Sequence, residues 1–188
     1  QYLECAMAVK PIVLYPKDKS ILRRKCDPVK HLNAEAKRLV QDLVDTLNDH
    51  PEGVGLAAPQ ISAHRRIVVV RLGGDPDTGG DLSPPMPLIN PRILESRDEI
   101  KDFDGCLSLP GLYGRTVRPH YIRITSLDET GRRINRVLEG FDAVVVHHEI
   151  DHLNGVLFID RVETIEDLYR VREDENGNLV RVPLSPTT

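Results

Sequence analysis

"HYIRITSLDETGRRINRVLE", residues 120–139, decides the fold class, because it alternates around "DETG" in the manner of an antiparallel β-hairpin. Further strand-like runs surround it. "RRIVVVRL" is β-branched, short and closed by Gly73 and Gly74, so it reads as a buried strand. "PLINPRIL" and "DEIKDFDG" read as two more short strands, and "ENGN" turns the chain into a last one, "LVRVPL". Residues 73–87, with Gly, Pro, Asp and Ser throughout, read as a long loop. Helices are fewer. "LNAEAKRLVQDLVDTLNDH" places Leu32, Ala36, Leu39, Val40, Leu43, Val44 and Leu47 at three- and four-residue spacings behind Asn33, a plausible N-cap. A second helix is expected over residues 142–153, with Gly155 positioned as a left-handed C-terminal cap, and "TIEDLYRVRE" suggests a shorter last helix. Short strands outnumber helices and the hairpin is antiparallel, so the expected class is α+β. Its strands would pack around the central helix at 142–153, between an N-terminal helix and a short C-terminal one.

Composition narrows the function classes. With 188 residues, 40% of them hydrophobic and 29% charged, the chain has one globular domain's worth of material. The formal net charge is −4, and Lys and Arg are scattered instead of massed, so neither nucleic acid nor membrane is expected as an electrostatic partner. Apolar runs such as "IVVV" and "AVVV" fall far short of a membrane span, and the N-terminus lacks the apolar core of a signal peptide. Cys5, Cys26 and Cys106 are odd in number and unevenly spaced, which argues against a disulfide framework and for a reducing compartment. Gln1 opens the chain and Met7 comes shortly after, so residues 1–8 are expected to be a leader or expression remnant and residues 9–188 one catalytic domain.

Chemistry concentrates in "VVVHHEIDHLNG", residues 144–155. His148 and His152 stand at i and i+4, which puts both imidazoles on one helix face where they can share an ion. Glu149 occupies a neighbouring edge, within reach of a metal-bound water, in the H-E-x-x-H arrangement of metal-assisted hydrolysis. Chance occurrence, or a solvated face rich in His, Glu and Asp, is the alternative. The preceding "AVVV" opposes it, since that run draws the helix into the core, where unpaired charge is costly and a metal would relieve it. A third protein ligand is then needed. Glu163 and Glu166 are possible downstream, and Cys106 in "DGCLSLPG" is the better candidate, although taken alone a cysteine there reads as a small buried apolar residue.

A third cluster is "GVGLAAPQ", residues 53–60. Gly53, Gly55 and Ala58 match the dinucleotide fingerprint literally, but that motif needs a strand before it and a helix after it. Here a helix precedes the glycines and Pro59 interrupts the segment after them, so the cofactor reading is rejected. A segment of small residues that lets a substrate backbone approach, ending in a Gln60 amide able to donate to an oxyanion, fits better. A plain tight turn would explain the glycines but not the glutamine.

Taken in order, "GVGLAAPQ", "DGCLSLPG" and "HHEIDHLNG" resemble the three signature motifs of the peptide deformylase family, and the likeness covers about residues 12–161. The resemblance implies that Cys106, His148 and His152 hold one divalent ion, Fe²⁺ natively with Zn²⁺ or Ni²⁺ as substitutes. It makes Glu149 the general acid/base, gives oxyanion stabilisation to Gln60 and the backbone N–H of Leu107, and places Gly55 along the substrate path. The reaction implied is removal of the formyl group from formyl-methionyl nascent proteins, near the ribosome, in a bacterial cytoplasm or, behind a processed leader, in a plastid or mitochondrion. Val54, Phe141, Val144 and Val145 are expected to form the methionine pocket. Asp104 stands where the family usually has Glu, and His147 where it usually has Gln. The tail after Glu163 does not match the long basic helix of the best-known bacterial members, so ribosome contact through that helix does not carry over. Rival readings are an HExxH metallopeptidase, which would need neither Cys106 nor Gln60, and a non-catalytic module with a closed four-ligand site completed by His147.

Overall fold

The computed structural model describes residues 8–74 and 79–184. Of the expected N-terminal remnant only Ala8 falls within them, its N–H donating to the Asp45 carboxylate at 3.2 Å. The helices are α1 (Lys19–Leu22), α2 (Ala34–Asn48) and α3 (Gly140–Leu153). The strands are β1 (Gly55–Ala57), β2 (Ile67–Val70), β3 (Met86–Gly105), β4 (Leu112–Leu127), β5 (Arg133–Glu139), β6 (Leu168–Glu173) and β7 (Leu179–Pro183). Among the described residues these strands form one antiparallel sheet in the order β1-β2-β3-β4-β6-β7, with β5 also pairing with β4. The α+β class is thus observed.

β2 shows why "IVVV" carries no polar residue. Side chains alternate across a strand. Val68 and Val70 therefore join Val145, Val146, Ile150 and Leu153 of α3, while Ile67 and Val69 join Leu43 and Leu47 of α2. Both faces of this strand are covered, and all four residues are fully buried. The apolar stripe of α2 is the one its spacing predicts, and the Asn33 side chain caps the helix by accepting from Ala36 N–H at 2.9 Å.

The hairpin at "DETG" forms as expected, from β4 and β5, and the Asp128 carboxylate accepts from the N–H groups of Thr130 and Arg132, each at 2.9 Å. Gly155 takes φ +74° just past α3, and a Cβ there would meet the Arg23 carbonyl oxygen at 2.2 Å, so the turn requires glycine. Two expectations need correction. "PLINPRIL" and "DEIKDFDG" are not separate strands but parts of the single ribbon β3. Pro91 lacks an N–H and interrupts the pairing with β4, which is absorbed as register shifts between Ile89 and Arg92 and between Ile93 and Glu95. "TIEDLYRVRE" is not a helix: after one 3₁₀ turn at Ile165–Asp167 it becomes β6. The free edge of β4 at Leu112–Gly114 recruits it, and the turn at Asp174, whose carboxylate accepts from Asn176 and Asn178 N–H at 2.8 Å, folds β7 back onto it.

Candidate active site

α3 is buried along residues 143–153, so the histidine motif lies inside the protein as "AVVV" requires. The Nε2 atoms of His148 and His152 are 3.2 Å apart, and Cys106 Sγ is 3.3 Å from His152 Nε2. The three donor atoms all lie within 4.8 Å of one another. Tetrahedral ligation with metal–nitrogen bonds of about 2.0–2.1 Å would space two nitrogens by about 3.3 Å, so this donor set fits a small divalent ion. Glu163 is instead held by Lys101 at 3.0 Å, and Glu166 is exposed, so neither reaches the cluster. His147 turns the other way, its Nδ1 2.7 Å from Arg118 Nη1, and cannot complete a four-ligand cage.

Arg118, on β4, is the residue that sequence reasoning missed. It is only 1% exposed, yet its guanidinium bonds Asp104 through Nε at 2.7 Å and Asp151 through Nη1 at 2.8 Å. Arg161 adds bonds to Asp151 at 2.6 and 2.8 Å. Much of the buried charge around α3 is therefore balanced by arginines instead of being left for a metal alone. Nothing in the alternating context "VRPHYIRI" distinguishes this arginine from a surface one; the only signals are the acidic residues beside two motifs that would need a cation once buried.

Asp104 accepts from Thr116 Oγ1 at 3.2 Å and lies 2.8 Å from His148 Nδ1. Burial alone would favour its neutral form, but His148 and Arg118 outweigh that and hold it ionised, well below the usual carboxylate range. Burial likewise opposes protonation of His148, and the Asp104 contact overrides it and raises its pKa. The aspartate, one methylene shorter than the glutamate the resemblance leads one to expect, still reaches the imidazole. For His147, burial dominates and pushes the pKa down to about 4, which leaves the ring a neutral acceptor for Arg118.

Glu149 is 4% exposed, and its Oε2 has no hydrogen-bond partner among the described residues. Burial, reinforced by Asp104 and Asp151 and opposed by His148 and Arg118, raises its pKa to about 7. Gly55 makes room for it: a Cβ at that position would sit 2.4 Å from Glu149 Oε1. Gln60 is 1% exposed and fixed in direction, since its Oε1 accepts from Ala57 N–H at 2.9 Å while Nε2 faces Ser108 Oγ at 3.1 Å and Cys106 Sγ at 3.5 Å.

A cleft of about 620 Å³ opens onto this cluster. Val54, Gly55, Phe141, Val144 and Val145 line it, as do Gln60, Cys106, Leu107, His148 and Glu149. His152 lies behind them, 1% exposed. Glu163, Glu166 and His147 apart, the residues expected at the site thus lie together, with the apolar ones along the cleft beside the donor cluster.

The family model for polypeptide deformylase matches residues 9–167. The peptide deformylase of Psychrobacter cryohalolentis is 39% identical over 161 residues, covering 85% of this chain and 83% of that one, and the peptide deformylase of Cellvibrio japonicus is 40% identical over 157 residues, covering 83% and 88%. Among solved structures, a peptide deformylase from Legionella pneumophila superposes with a TM-score of 0.72 at 36% identity, covering 83% of this chain and 87% of that one. A Met-Ala-Ser-bound class I type b peptide deformylase from Acinetobacter baumannii superposes with a TM-score of 0.75 at 30% identity, covering 83% and 99%. A match over this much of the chain, reached independently by sequence and by fold, makes the chain a member of the polypeptide deformylase family.

Proposed function

We propose that this chain removes the formyl group from the N-terminus of formyl-methionyl nascent polypeptides, converting the formamide and water into formate and a free amine. The observation that carries the reading is the convergence of Cys106, His148 and His152 beside a buried Glu149, whose Oε2 has no hydrogen-bond partner among the described residues, along a mostly apolar cleft. Cys106, His148 and His152 would hold one divalent ion, making α3 the metal-binding helix of the fold. Thiolate with two imidazoles suits Fe²⁺, Zn²⁺ and Ni²⁺, and the family resemblance favours Fe²⁺ as the native one. When bound, such an ion supplies Lewis acidity to the formyl oxygen and acidity to the attacking water.

The chain's own residues do the rest. Val54, Phe141, Val144 and Val145 take the methionine side chain, and Gly55 lets the substrate backbone approach. Glu149 accepts a proton from water as it attacks the formyl carbon and later delivers it to the leaving nitrogen, a role suited to a carboxyl group raised toward neutrality. The Gln60 amide and the Leu107 N–H donate to the oxyanion that forms between these steps. Gln60 arrives already oriented by Ala57, so little reorganisation is needed. Asp104 holds the His148 Nδ1–H, which leaves Nε2 as the lone-pair donor.

Residues 9–188 act as one catalytic domain on formylated chain ends close to the ribosome. The setting is a bacterial cytoplasm, or an organelle if a leader is removed. No helix among the described residues is long and apolar enough to cross a membrane.

Formate release tests the reading. Protein purified without oxygen and loaded with Fe²⁺ should release formate from formyl-Met-Ala-Ser and leave Met-Ala-Ser intact, and it should lose activity in air faster than its Zn²⁺ form. Cleavage of internal bonds in the unformylated peptide would make it a metallopeptidase instead. Equal activity of aerobic and anaerobic preparations would remove iron as the native ion.

A further inference from the structure

The family match ends at residue 167, just before the β6–β7 hairpin begins. Strand pairing puts that hairpin beside the cleft. Tyr113 of β4 stands opposite Gly105 on one side and Tyr169 on the other, and Val171 of β6 stands opposite Arg181 of β7. Directly paired residues project to the same side of a sheet, and so do residues two apart along a strand. Phe103, Tyr113, Tyr169 and Arg181 therefore all rise from the face that bears Gly105, the neighbour of Cys106.

The contacts agree with the register. A Cβ on Gly105 would lie 2.8 Å from the Tyr113 ring, so that ring rests directly on the residue preceding the thiol. Phe103 meets Tyr169 edge-on, with centroids 5.4 Å apart. The Arg181 guanidinium carbon lies 4.2 Å from the centre of the Phe103 ring and 5.3 Å from that of Tyr113. Phe103 and Tyr113 both line the cleft.

Arg181 is exposed, and among the described residues it forms no ion pair; nearby, Asp167 and Glu163 are engaged by Lys101 at 2.7 and 3.0 Å. A guanidinium lying over aromatic rings can still donate N–H groups to an anion. Arg181 reaches the cleft through Phe103 and Tyr113, which line it, and the exposed charged residue of the lining itself is Glu52, which would repel an anion. Arg181, with Arg115 standing opposite Phe103 on the same face, thus offers positive charge beside the cleft to a peptide running out of the site, and of the two it is Arg181 that lies over the lining rings.

We propose that Arg181 is a specificity-determining residue, and that the C-terminal hairpin extends the cleft so as to favour formylated chains with an acidic side chain shortly after the methionine. The inference rests on the deformylase reading and adds the class of sequence that the enzyme prefers.

The test compares kcat/KM for formyl-Met-Ala-Asp-Ser and formyl-Met-Ala-Lys-Ser on the metal-loaded enzyme at low salt. Exposed ion pairs are weak, so the expected preference for the acidic peptide is roughly three- to tenfold, shrinking in 1 M salt. Arg181→Lys should keep it, Arg181→Gln, which retains a planar stacking group without charge, should bring it to about one or below, and Arg181→Glu should invert it. A role confined to packing the hairpin would lower both peptides equally and leave the ratio unchanged in all variants. An unchanged ratio, or no preference in the wild type, overturns the proposal. Failure to release formate from either peptide would instead bring down the deformylase reading on which it stands.

Discussion

The Asp104 carboxylate lies 2.8 Å from His148 Nδ1 and 2.7 Å from Arg118 Nε, so a single acidic side chain ties an imidazole of the donor cluster to the buried arginine behind it. Removing its charge while keeping its shape should be felt at the ion. For Asp104→Asn, divalent-metal affinity is expected to fall about 10- to 100-fold, the usual cost of losing a partner behind a ligating histidine. Competition against a chromophoric chelator measures it, and unchanged affinity would show that His148 does not depend on Asp104 for its orientation.

Arg118 satisfies two buried carboxylates at once. Arg118→Leu leaves both without it, and stability should drop by about 3–5 kcal/mol, read from urea unfolding. Combining it with Asp104→Asn should recover part of that loss, because one of the stranded charges is then gone. A single variant as stable as wild type would mean that Arg161 and solvent already compensate.

Gly55→Ala and Glu149→Ala should look alike for opposite reasons. The first adds a methyl where the Glu149 carboxylate sits, forcing the flexible end of that side chain aside; the second removes the carboxylate. In both, metal content should remain near stoichiometric while formate release falls by about 10²–10⁴-fold, the range typical of a positioned proton acceptor. Loss of metal in Glu149→Ala would make it a ligand, and full activity in Gly55→Ala would place the working position of the base elsewhere.

The two described cysteines should separate cleanly. Cys106→Ser is expected to lose metal and activity together. Cys26 is 6% exposed in the core beside Ala57 and Val68, and burial pushes its thiol pKa up to about 11. The unfolded thiol ionises first as pH rises, near its reference value of 9.0. The unfolded chain therefore holds fewer protons than the native one between about pH 9 and 11, and stability contributed by the neutral thiol is full below that window and lost across it, on the order of 2 kcal/mol. Wild type should accordingly lose more stability than Cys26→Ala between pH 8.5 and 11. Parallel pH profiles would show that the folded thiol titrates normally.

How much of this could be read in advance depends on the range of the forces involved. The stripe of α2, the "DETG" hairpin, the two-sided burial of "IVVV" and the histidine pair are local periodicities, and each is visible within a window of about twenty residues. The continuity of β3 through Pro91 is not local, because β4 supplies the pairing that carries the strand past the proline. The strand at Leu168–Glu173 needed the open edge of β4 to overrule a helical pattern. Arg118 was hidden for the same reason: its partners Asp104 and Asp151 come from a strand and a helix that meet it only in the folded chain. Within the site, the residues carried by contiguous motifs were legible and the charge that steadies them was not.

Cys106 sits in the turn that closes the β3–β4 ribbon, whereas its donor neighbour His152 lies 46 residues further along on α3. An ion held by both would be a removable cross-link between hairpin and helix, with a loop of that length closed by a ligand in place of a covalent bond. Because the unfolded chain does not preassemble such a site, occupancy would deepen the native well by mass action, and the midpoint of melting would climb with free metal concentration. Chelation would then act as a mechanical release, freeing the end of the ribbon from the helix and exposing the amides of the intervening turn to hydrogen exchange ahead of those in β2.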